Sequence, residues 1–419
     1  MTDRIDWFVH DRFGLFIHFG IYSAAGRHEW LKKRESMTTE HYQQYFDQFD
    51  PDLYDPAQWA RDARKAGMKY AVITTKHHDG FALFDSQLTG YKSTNTPCGR
   101  DLIAEFVEAF RAEGLKVGFY HSVIDWHHEH YTRDPVHPQS EDDAFWEGQD
   151  RDIATYRGYL HGQVRELLTN YGNIDVMWFD FTPPTKSRED WGSEELVALV
   201  RELQPGIIIN DRIDLPESAD FVTPEQYQPR EWPTRNGEQV TWEACQTLNG
   251  SWGYDRDNLD WKSPESLVRM LVDTVSKGGN LLLNVGPTGR GEFEQWARET
   301  LAEIGEWMRQ HGRAIHGATA STFEASVDCR YTQRGERLYL HIFTWPMRHV
   351  HLDKMAGRIG YAQLLHDGSE VNVTDSDPDA QAQNTSLPGA EGVAMLELPI
   401  QRPDVLVPVV EIFLDKQQT

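Results

Sequence analysis

Cysteine is scarce in this chain of 419 residues, which contains only three. They stand far apart, at Cys98, Cys245 and Cys329, and no CxxC pair occurs. An odd and dispersed set of cysteines offers no disulfide framework, and without CxxC spacing it offers no zinc knuckle. Neither a disulfide-linked scaffold nor a cysteine-based metal site is therefore expected.

Long apolar runs and positive charge are also lacking. No run approaches the roughly 18 apolar residues of a membrane-spanning helix, and the first residues lack the apolar core of a signal peptide. The 41 Lys and Arg residues are outnumbered by 66 Asp and Glu, which gives a net charge of −25 that repels phosphate backbones and anionic lipids. We expect neither nucleic acid nor a membrane as partner. We also expect a cytoplasmic location, although a chain that had lost a signal peptide would look the same.

Aromatic residues, in contrast, are plentiful: they make up 12% of the chain and include 14 Trp. Flat aromatic faces suit the C–H face of a sugar ring, although most Trp residues simply fill cores and surfaces. The length is sufficient for one large barrel and a smaller second domain.

Strand-like and helix-like segments alternate through the first three quarters of the chain. Six short apolar stretches end in polar residues, at 13–20, 70–75, 115–120, 176–180, 207–209 and 280–285, and residues 220–225 look like a further short strand. Helical segments separate most of them, for example at 101–114, 151–171 and 193–203. This alternation predicts an α/β fold with a parallel sheet, in the form of a (β/α)8-like, TIM-type barrel over residues 1–317.

The pattern changes in residues 318–419. Segments 337–343 and 393–399 alternate apolar and polar residues with a period of two, and Gly-, Asp- and Pro-rich turns separate such segments. We predict a C-terminal β-sandwich there. The polar stretch 375–390 predicts a long loop within it.

Asp180 stands at an unusual place, at the end of the apolar run Val176–Phe179 and shortly before Pro183 and Pro184. A charge that ends a buried strand is costly unless it is solvated, paired or used. In parallel α/β folds the catalytic groups lie at the carboxyl ends of strands. Asp180 is thus a candidate nucleophile, with capping of the following turn as the alternative.

Other polar residues share this position after a predicted strand, and a barrel would bring them to one mouth. They are His18, Glu29, Trp30, His77, His78, His121, Arg212 and Glu225. With Asp180 the set holds carboxylates to attack and to protonate, and neutral groups to bind hydroxyls. Glycoside hydrolysis needs such a set.

Other chemistries find less support. His77 and His78 are adjacent, so they would point to opposite faces of a strand, and the histidines of 127–130 lie in a predicted loop without HExxH spacing. The glycine-rich stretch 286–291 lacks the lysine of a P-loop, and no GxSxG motif occurs. We expect no metal and no other cofactor. A histidine-based metallohydrolase and a non-catalytic carbohydrate-binding protein remain the competing hypotheses.

Six blocks together resemble glycoside hydrolase family 29, the α-L-fucosidases. They are Phe13–Gly20, Glu29-Trp30, Lys76–Phe81, Trp178–Asp180, Trp252–Tyr254 and Asn284–Pro287. The resemblance implies the same two-domain architecture and a retaining double displacement, in which Asp180 forms a covalent fucosyl-enzyme.

The resemblance also suggests roles for the remaining positions. It implies that His18, His77, His78, Glu29 and Trp30 hold the fucose, and that Arg212 lies close to the reacting centre. It places His121 near the sugar, with the neighbouring Tyr120 as the alternative. Trp252 would form an aromatic wall against the methyl group of fucose.

Two residues are candidates for the general acid/base. Glu225, in Thr223–Tyr227, matches the position that relatives with this block use, and Glu243, in Trp242–Asn249, is the alternative. The same two blocks resemble the subgroup that removes α-1,3/1,4-linked fucose from oligosaccharides and glycoconjugates. Broader linkage specificity is the alternative, and the sequence does not indicate an oligomeric state.

Overall fold

The computed structural model describes residues 3–380 and 389–415. Residues 381–388, in the middle of the predicted loop 375–390, lie outside the described residues. The helices are α1 Asp6–Asp11, α2 Tyr22–Ala25, α3 Leu31–Arg34, α4 Thr39–Asp47, α5 Pro56–Lys65, α6 Leu102–Ala112, α7 Asp143–Trp146, α8 Ile153–Asn170, α9 Arg188–Trp191, α10 Ser193–Leu203, α11 Pro264–Val275 and α12 Gln295–His311. The strands are β1 Phe13–Ile17, β2 Tyr70–Lys76, β3 Lys116–Ser122, β4 Val176–Asp180, β5 Ile208–Ile209, β6 Thr234–Arg235, β7 Glu238–Gln239, β8 Glu243–Thr247, β9 Asn280–Val285, β10 Cys329–Arg334, β11 Arg337–Ile342, β12 His349–Leu352, β13 Ile359–Leu364, β14 Asn372–Asp375, β15 Ala394–Glu397 and β16 Val409–Leu414.

Seven strands of the first part form one parallel sheet, in the order β5-β4-β3-β2-β1-β9-β8. The two edges of this sheet are joined by the segment 221–225. Phe221 bridges to Asn210 beyond β5, whereas Val222 bridges to Trp242 and Glu225 to Cys245 on the β8 side. The predicted short strand at 220–225 is thus present as a set of single bridges that curls the sheet into a ring. The prediction of a (β/α)8-like barrel is confirmed.

Several helices begin at a residue whose side chain caps the first turn. The Asp101 carboxylate accepts a hydrogen bond from Ala104 N at 2.9 Å at the start of α6, and Ser263 Oγ accepts one from Ser266 N at 3.2 Å before α11. Pro264 occupies the first turn of α11, where its missing N–H costs nothing. These caps fix where each helix leaves the end of the preceding strand or loop.

Alternate residues of the strands fill the interior of the barrel. One apolar cluster contains Phe16, Tyr70, Tyr120, Trp178 and Leu282, whereas their neighbours belong to the cluster between the strands and the helices. Because side chains alternate along a strand, His18 and Asp180 lie in phase with the inward-facing Phe16 and Trp178. The fold therefore directs these two polar groups to the carboxyl-terminal mouth of the barrel.

The C-terminal part consists of two antiparallel sheets, β10-β11-β16-β13 and β12-β15-β14, around a separate apolar cluster. This arrangement agrees with the predicted β-sandwich. It contacts the barrel helices, since Trp307 Nε1 on α12 donates to Val407 O at 2.8 Å and Arg313 pairs with Glu411 at 2.7 Å. The division between residues 317 and 318 stays a prediction. Within the described residues, no helix has the length and apolar character needed to cross a bilayer.

Candidate active site

A small cavity of about 70 Å³ lies at the carboxyl-terminal ends of the barrel strands. It is lined by Phe16, His18, Trp30, His77, His78, Tyr120, Trp178, Asp180, Phe181, Arg212, Glu225, Cys245 and Trp252. These side chains come from several different barrel strands and from the loops that follow those strands. The barrel therefore brings together residues that the sequence separates by more than 200 positions.

Asp180 ends β4 with its side chain 12% exposed. Its Oδ2 accepts a hydrogen bond from the Tyr120 hydroxyl at 2.7 Å, and its Oδ1 accepts one from Arg212 Nη1 at 2.9 Å. Both donors are side chains of the cavity rather than backbone N–H groups of the next turn, so the capping alternative finds no support in these contacts. The chain turns sharply afterwards, because Phe181 adopts a left-handed conformation with φ of 75°.

Arg212 holds two carboxylates at once. Its Nη1 donates to Asp180 Oδ1 at 2.9 Å and to Glu225 Oε2 at 2.6 Å. The guanidinium is fixed from behind, since Nε donates to Thr223 Oγ1 at 2.8 Å and Nη2 donates to Thr223 O at 3.0 Å. It also lies 4.5 Å from the ring centre of Trp178. So many fixed partners make Arg212 a rigid clamp for the two acidic groups.

Glu225 lies at the outer side of the cavity, with 43% of its side chain exposed. Its other oxygen accepts a hydrogen bond from Trp252 Nε1 at 3.2 Å. Because the 2.9 Å and 2.6 Å bonds share one Arg212 atom, their sum, 5.5 Å, is the upper limit for the distance between Asp180 Oδ1 and Glu225 Oε2. Glycosidases that retain configuration have carboxyl groups about 5–5.5 Å apart, whereas inverting enzymes need about 6.5–9.5 Å.

Glu243 lies deeper in the barrel and does not line the cavity. It precedes the cavity residue Cys245 by two positions on β8, so it faces the same interior one layer lower. Its side chain is fully buried and accepts hydrogen bonds from the Tyr70 hydroxyl and from Trp178 Nε1. Burial raises the pKa of Glu243 to about 7. This position does not fit direct contact with a substrate.

Three histidines predicted to hold a sugar, His18, His77 and His78, line the cavity. Burial lowers the pKa of His18 and of His78 to about 3, so both imidazoles are neutral near pH 7. Neutral rings can accept or donate hydrogen bonds without adding charge beside Asp180.

Two further residues predicted to hold or approach the sugar lie outside the cavity lining, namely His121 and Glu29. His121 does not line the cavity: it is fully buried on the helix side of β3, with Nδ1 2.9 Å from Thr75 Oγ1. Because neighbouring residues of a strand point in opposite directions, Tyr120 takes the inward position instead. Glu29 is also absent from the lining, whereas its neighbour Trp30 is present.

Glu29 is fully buried beside the loop that carries Trp252. Its Oε2 accepts a hydrogen bond from Gly253 N at 2.6 Å, and burial raises its pKa to about 7. This contact ties the Glu29-Trp30 loop to the Trp252 loop. Glu29 thus connects two loops that carry cavity residues, and its predicted contact with fucose stays a prediction.

The sequence interpretation did not include Phe16, Trp178, Phe181 and Cys245, which complete the cavity lining. The first two could have been found, because each lies two residues before a predicted site residue on the same strand face. No local pattern marks Phe181, whose left-handed backbone turns its ring to within 5.4 Å of the His78 ring centre.

The histidine clusters do not assemble a metal site in the described part of the chain, where no group of three or more His, Cys, Asp and Glu side chains is placed to hold an ion. His127 instead stacks on Tyr91 with ring centres 3.8 Å apart. The backbone N–H groups of His127 and His128 donate to Asp125 at 2.9 Å and 2.8 Å. The start of the 127–130 segment is thus a loop held by Asp125 and by the stacking of His127 on Tyr91.

Comparison with known proteins gives one consistent result. The family model described as alpha-L-fucosidase matches residues 2–313. Tissue alpha-L-fucosidase of Bos taurus is 29% identical over 373 residues, which cover 81% of this chain and 75% of that protein. The structure of alpha-L-fucosidase isoenzyme 1 from Paenibacillus thiaminolyticus matches with a TM-score of 0.93 and 46% identity, covering 99% of both chains.

A further similar structure shows a reaction intermediate. It is a GH29 alpha-L-fucosidase from Bacteroides thetaiotaomicron, described as a trapped covalent intermediate obtained with 2-fluoro-fucosyl fluoride and a glutamate-to-glutamine mutant. It matches with a TM-score of 0.86 and 27% identity, covering 99% of this chain and 97% of that one. The chain described here belongs to the α-L-fucosidases, glycoside hydrolase family 29.

Proposed function

We propose that this α-L-fucosidase works by a retaining double displacement, with Asp180 as nucleophile and Glu225 as general acid/base. The observation that carries the proposal is the shared bond to Arg212, which keeps one oxygen of each carboxylate, Asp180 Oδ1 and Glu225 Oε2, within 5.5 Å of each other. Such a close pair fits the separation of about 5–5.5 Å in retaining enzymes better than the separation of about 6.5–9.5 Å that inversion needs. A covalent intermediate in the Bacteroides thetaiotaomicron relative supports the same chemistry.

The position of each carboxylate suits its proposed role. Asp180 is mostly buried, and hydrogen bonds from Arg212 and the Tyr120 hydroxyl hold its carboxylate in a fixed orientation at the cavity. Glu225 is more exposed and lies toward the cavity mouth, where the leaving oxygen would be. In the first step Asp180 attacks the anomeric carbon while a protonated Glu225 gives its proton to the departing oxygen. In the second step Glu225 takes a proton from water, which hydrolyses the fucosyl ester.

The size of the cavity supports action on a terminal sugar. A volume of about 70 Å³ admits at most one sugar residue, so the rest of an oligosaccharide has to lie outside. His18, His77 and His78 would contact the fucose hydroxyls, and Trp30 and Trp252 would form aromatic walls. No nucleic acid or membrane partner and no metal enter this proposal, and the cytoplasmic location stays a prediction.

We further propose that the preferred linkages are α-1,3 and α-1,4. The support is the resemblance of the blocks Thr223–Tyr227 and Trp242–Asn249 to the branch-selective subgroup. Tyr227, two residues after Glu225, is 61% exposed, and we propose its ring as a contact for the sugar next to the fucose. Faster hydrolysis of a Lewis-type trisaccharide than of an aryl fucoside is expected. Ready cleavage of an α-1,2-linked glycan would favour the alternative of broad linkage specificity.

Replacement of each candidate acid/base tests the assignment of roles. Glu225→Gln should lower kcat on a Lewis-type trisaccharide by about 10²- to 10⁴-fold, the usual contribution of a general acid. Added azide should restore turnover of an activated aryl fucoside and form fucosyl azide, because a small anion can replace water without general-base help. The matched control Glu243→Gln should lose stability and keep most of its turnover, since Glu243 lies below the cavity. Near-normal turnover of Glu225→Gln, with no effect of azide, would remove Glu225 from this role.

A further inference from the structure

Two imidazoles of the cavity are each bonded, on the side away from the cavity, by a side chain to which the sequence analysis assigned no role. His78 Nδ1 lies 2.7 Å from Ser122 Oγ, at the end of β3. His18 Nδ1 lies 2.7 Å from Asn284 Oδ1, on β9. Both hydrogen bonds are buried and use Nδ1, so the Nε2 atom of each ring does not take part in them.

The hydrogen count at Ser122 determines which nitrogen of His78 carries the proton. A serine hydroxyl has one hydrogen to donate. Ser122 Oγ donates it to Ile124 O at 2.8 Å, so the same oxygen can only accept from His78. His78 Nδ1 must therefore be the N–H donor of that pair. Because burial keeps the ring neutral, Nε2 carries a lone pair.

The same reasoning applies to His18. The amide nitrogen of Asn284 donates to Trp252 O at 2.7 Å, which identifies Oδ1 as the atom that faces the imidazole. A carbonyl oxygen can only accept, so His18 Nδ1 is an N–H donor and its Nε2 carries a lone pair. Asn284 thereby fixes His18 and the backbone of the aromatic wall residue Trp252 at once.

Both His18 and His78 line the cavity and use Nδ1 for a protein contact, so Nε2 is the ring nitrogen that each can offer to a ligand. His78 Nε2 lies 3.8 Å from Asp180 Oδ2, too far for a hydrogen bond, and both atoms are acceptors. Within residues 3–380 and 389–415, neither His78 Nε2 nor His18 Nε2 receives a hydrogen bond from the protein. A ligand that supplies hydroxyl donors would satisfy both atoms, whereas a ligand with only acceptors would leave them unpaired.

We propose that Ser122 and Asn284 are positioning residues that hold His78 and His18 as Nδ1–H tautomers, so that the cavity presents two imidazole acceptors to the hydroxyl groups of fucose. The proposal rests on the proposed function, because it assigns the selectivity of that same site. Loss of either partner lets the ring rotate or change tautomer, and the lone pair is then no longer aimed at the hydroxyl. Sugars that lack the corresponding hydroxyl gain nothing from the fixed tautomer.

The tautomers can be measured without substrate, by long-range proton–nitrogen correlation spectra of enzyme labelled with ¹⁵N-histidine and assigned through single histidine replacements. The protonated nitrogen of His78 and of His18 should be Nδ1. In Ser122→Ala the His78 signals should shift toward a mixture of tautomers, and kcat/KM for an aryl fucoside should fall about 10- to 100-fold, mainly through KM. Ser122→Thr, which keeps a hydroxyl, should retain both the tautomer and the activity.

Thr75 on β2 provides a matched control, because its hydroxyl lies 2.9 Å from Nδ1 of His121. His121 is the neighbour of Ser122 on β3, but it does not line the cavity. Thr75→Val should change the His121 signals and leave kcat/KM close to wild type. Nε2–H signals for His78 in the wild-type enzyme, or a Ser122→Ala variant with unchanged kcat/KM, would overturn the proposal. Expected tautomers in a protein that hydrolyses no fucoside would instead contradict the proposed function and leave the tautomer assignment standing.

Discussion

At the scale of single residues, the hydrogen bond from Tyr120 to Asp180 can be tested directly. The Tyr120 hydroxyl donates to Asp180 Oδ2 at 2.7 Å, and burial raises its pKa well above the ordinary value, so it remains a donor throughout the working pH range. Hydrogen bonds to charged groups contribute about 1.5–3 kcal/mol. Tyr120→Phe should therefore lower kcat/KM on an aryl fucoside by about 10- to 100-fold, because Asp180 loses one of the two donors that orient it.

The control for Tyr120→Phe is a second tyrosine–aspartate pair outside the cavity. Tyr131 is buried and its hydroxyl donates to Asp134, and neither residue lines the active-site cavity. Tyr131→Phe should lower the melting temperature and leave kcat/KM almost unchanged. If Tyr120→Phe, like Tyr131→Phe, lowered the melting temperature and left kcat/KM unchanged, the Tyr120 hydroxyl would have only a structural role and would not orient Asp180.

At the scale of elements, the sequence predicted the order of most barrel strands and helices, because most of the barrel strands are apolar and polar residues stand at or just after their ends. It could not predict which side of a strand faces the barrel interior. Both faces of β3 are buried, one in the interior and one under the helices, so no polar alternation separates Tyr120 from His121. The depth of Glu243 was equally hidden, since a carboxylate below the cavity and one at its mouth follow the same local pattern.

The closure of the barrel could be predicted only in part from the sequence, for a related reason. The segment 221–225 contributes single bridges rather than a regular strand, and its two-sided pairing depends on strands that lie far away in sequence. Short segments of this kind carry little periodicity of their own. Their place in a sheet is determined by the strands on either side, which only the folded chain brings together.

Close approach of β9 to the Trp252 loop gives a prediction at this scale. A Cβ atom on Gly286 would lie 2.7 Å from Trp252 O and 2.7 Å from Gly253 C, both of which are backbone atoms. Gly286→Ala should therefore displace the loop that carries the aromatic wall. We expect a loss of about 1–3 kcal/mol in the free energy of unfolding and a higher KM for aryl fucosides.

A second glycine serves as the control for this prediction. Gly158 lies in the exposed middle of α8, and a Cβ there meets no atom within 4 Å. Gly158→Ala should raise the free energy of unfolding by about 0.4–1 kcal/mol, because alanine restricts the unfolded chain, and it should leave KM unchanged. An unchanged KM in Gly286→Ala would show that the loop tolerates the added methyl group.

At the scale of the whole molecule, buried histidines set how stability depends on pH. Burial lowers the pKa of eight histidines to about 3 or 4, and they are distributed over barrel and sandwich: His18, His28, His78, His127, His137, His311, His316 and His341. In the unfolded chain a histidine has a pKa of about 6.5. As the pH falls below that value, the unfolded state binds protons that the folded state does not, and the folded state is destabilised.

Three buried carboxyl groups act in the opposite direction. Burial raises the pKa of Glu29 and Glu243 to about 7 and that of Asp79 to about 6. A raised carboxyl pKa stabilises the fold fully below the unfolded value of about 4, and this contribution is lost as the pH rises through about 6–7. The eight histidines outnumber these three groups between about pH 4.5 and 6.5, so the net effect of acidification is destabilising.

The melting temperature should therefore be highest near neutral pH and fall steadily below about pH 6.5, with net uptake of several protons on unfolding. Calorimetry in buffers of different ionisation enthalpy measures that uptake. His341, on β11 away from the cavity, donates from Nε2 to Thr332 Oγ1 at 2.9 Å, since that hydroxyl itself donates to Ala314 O at 2.7 Å. His341→Gln can keep this donor but cannot titrate, so it should reduce the uptake at pH 5 by about one proton and flatten the slope by up to about 1.4 kcal/mol per pH unit. A melting temperature that stays constant from pH 7 to pH 5 would mean that the buried histidines take up protons in the folded state as well.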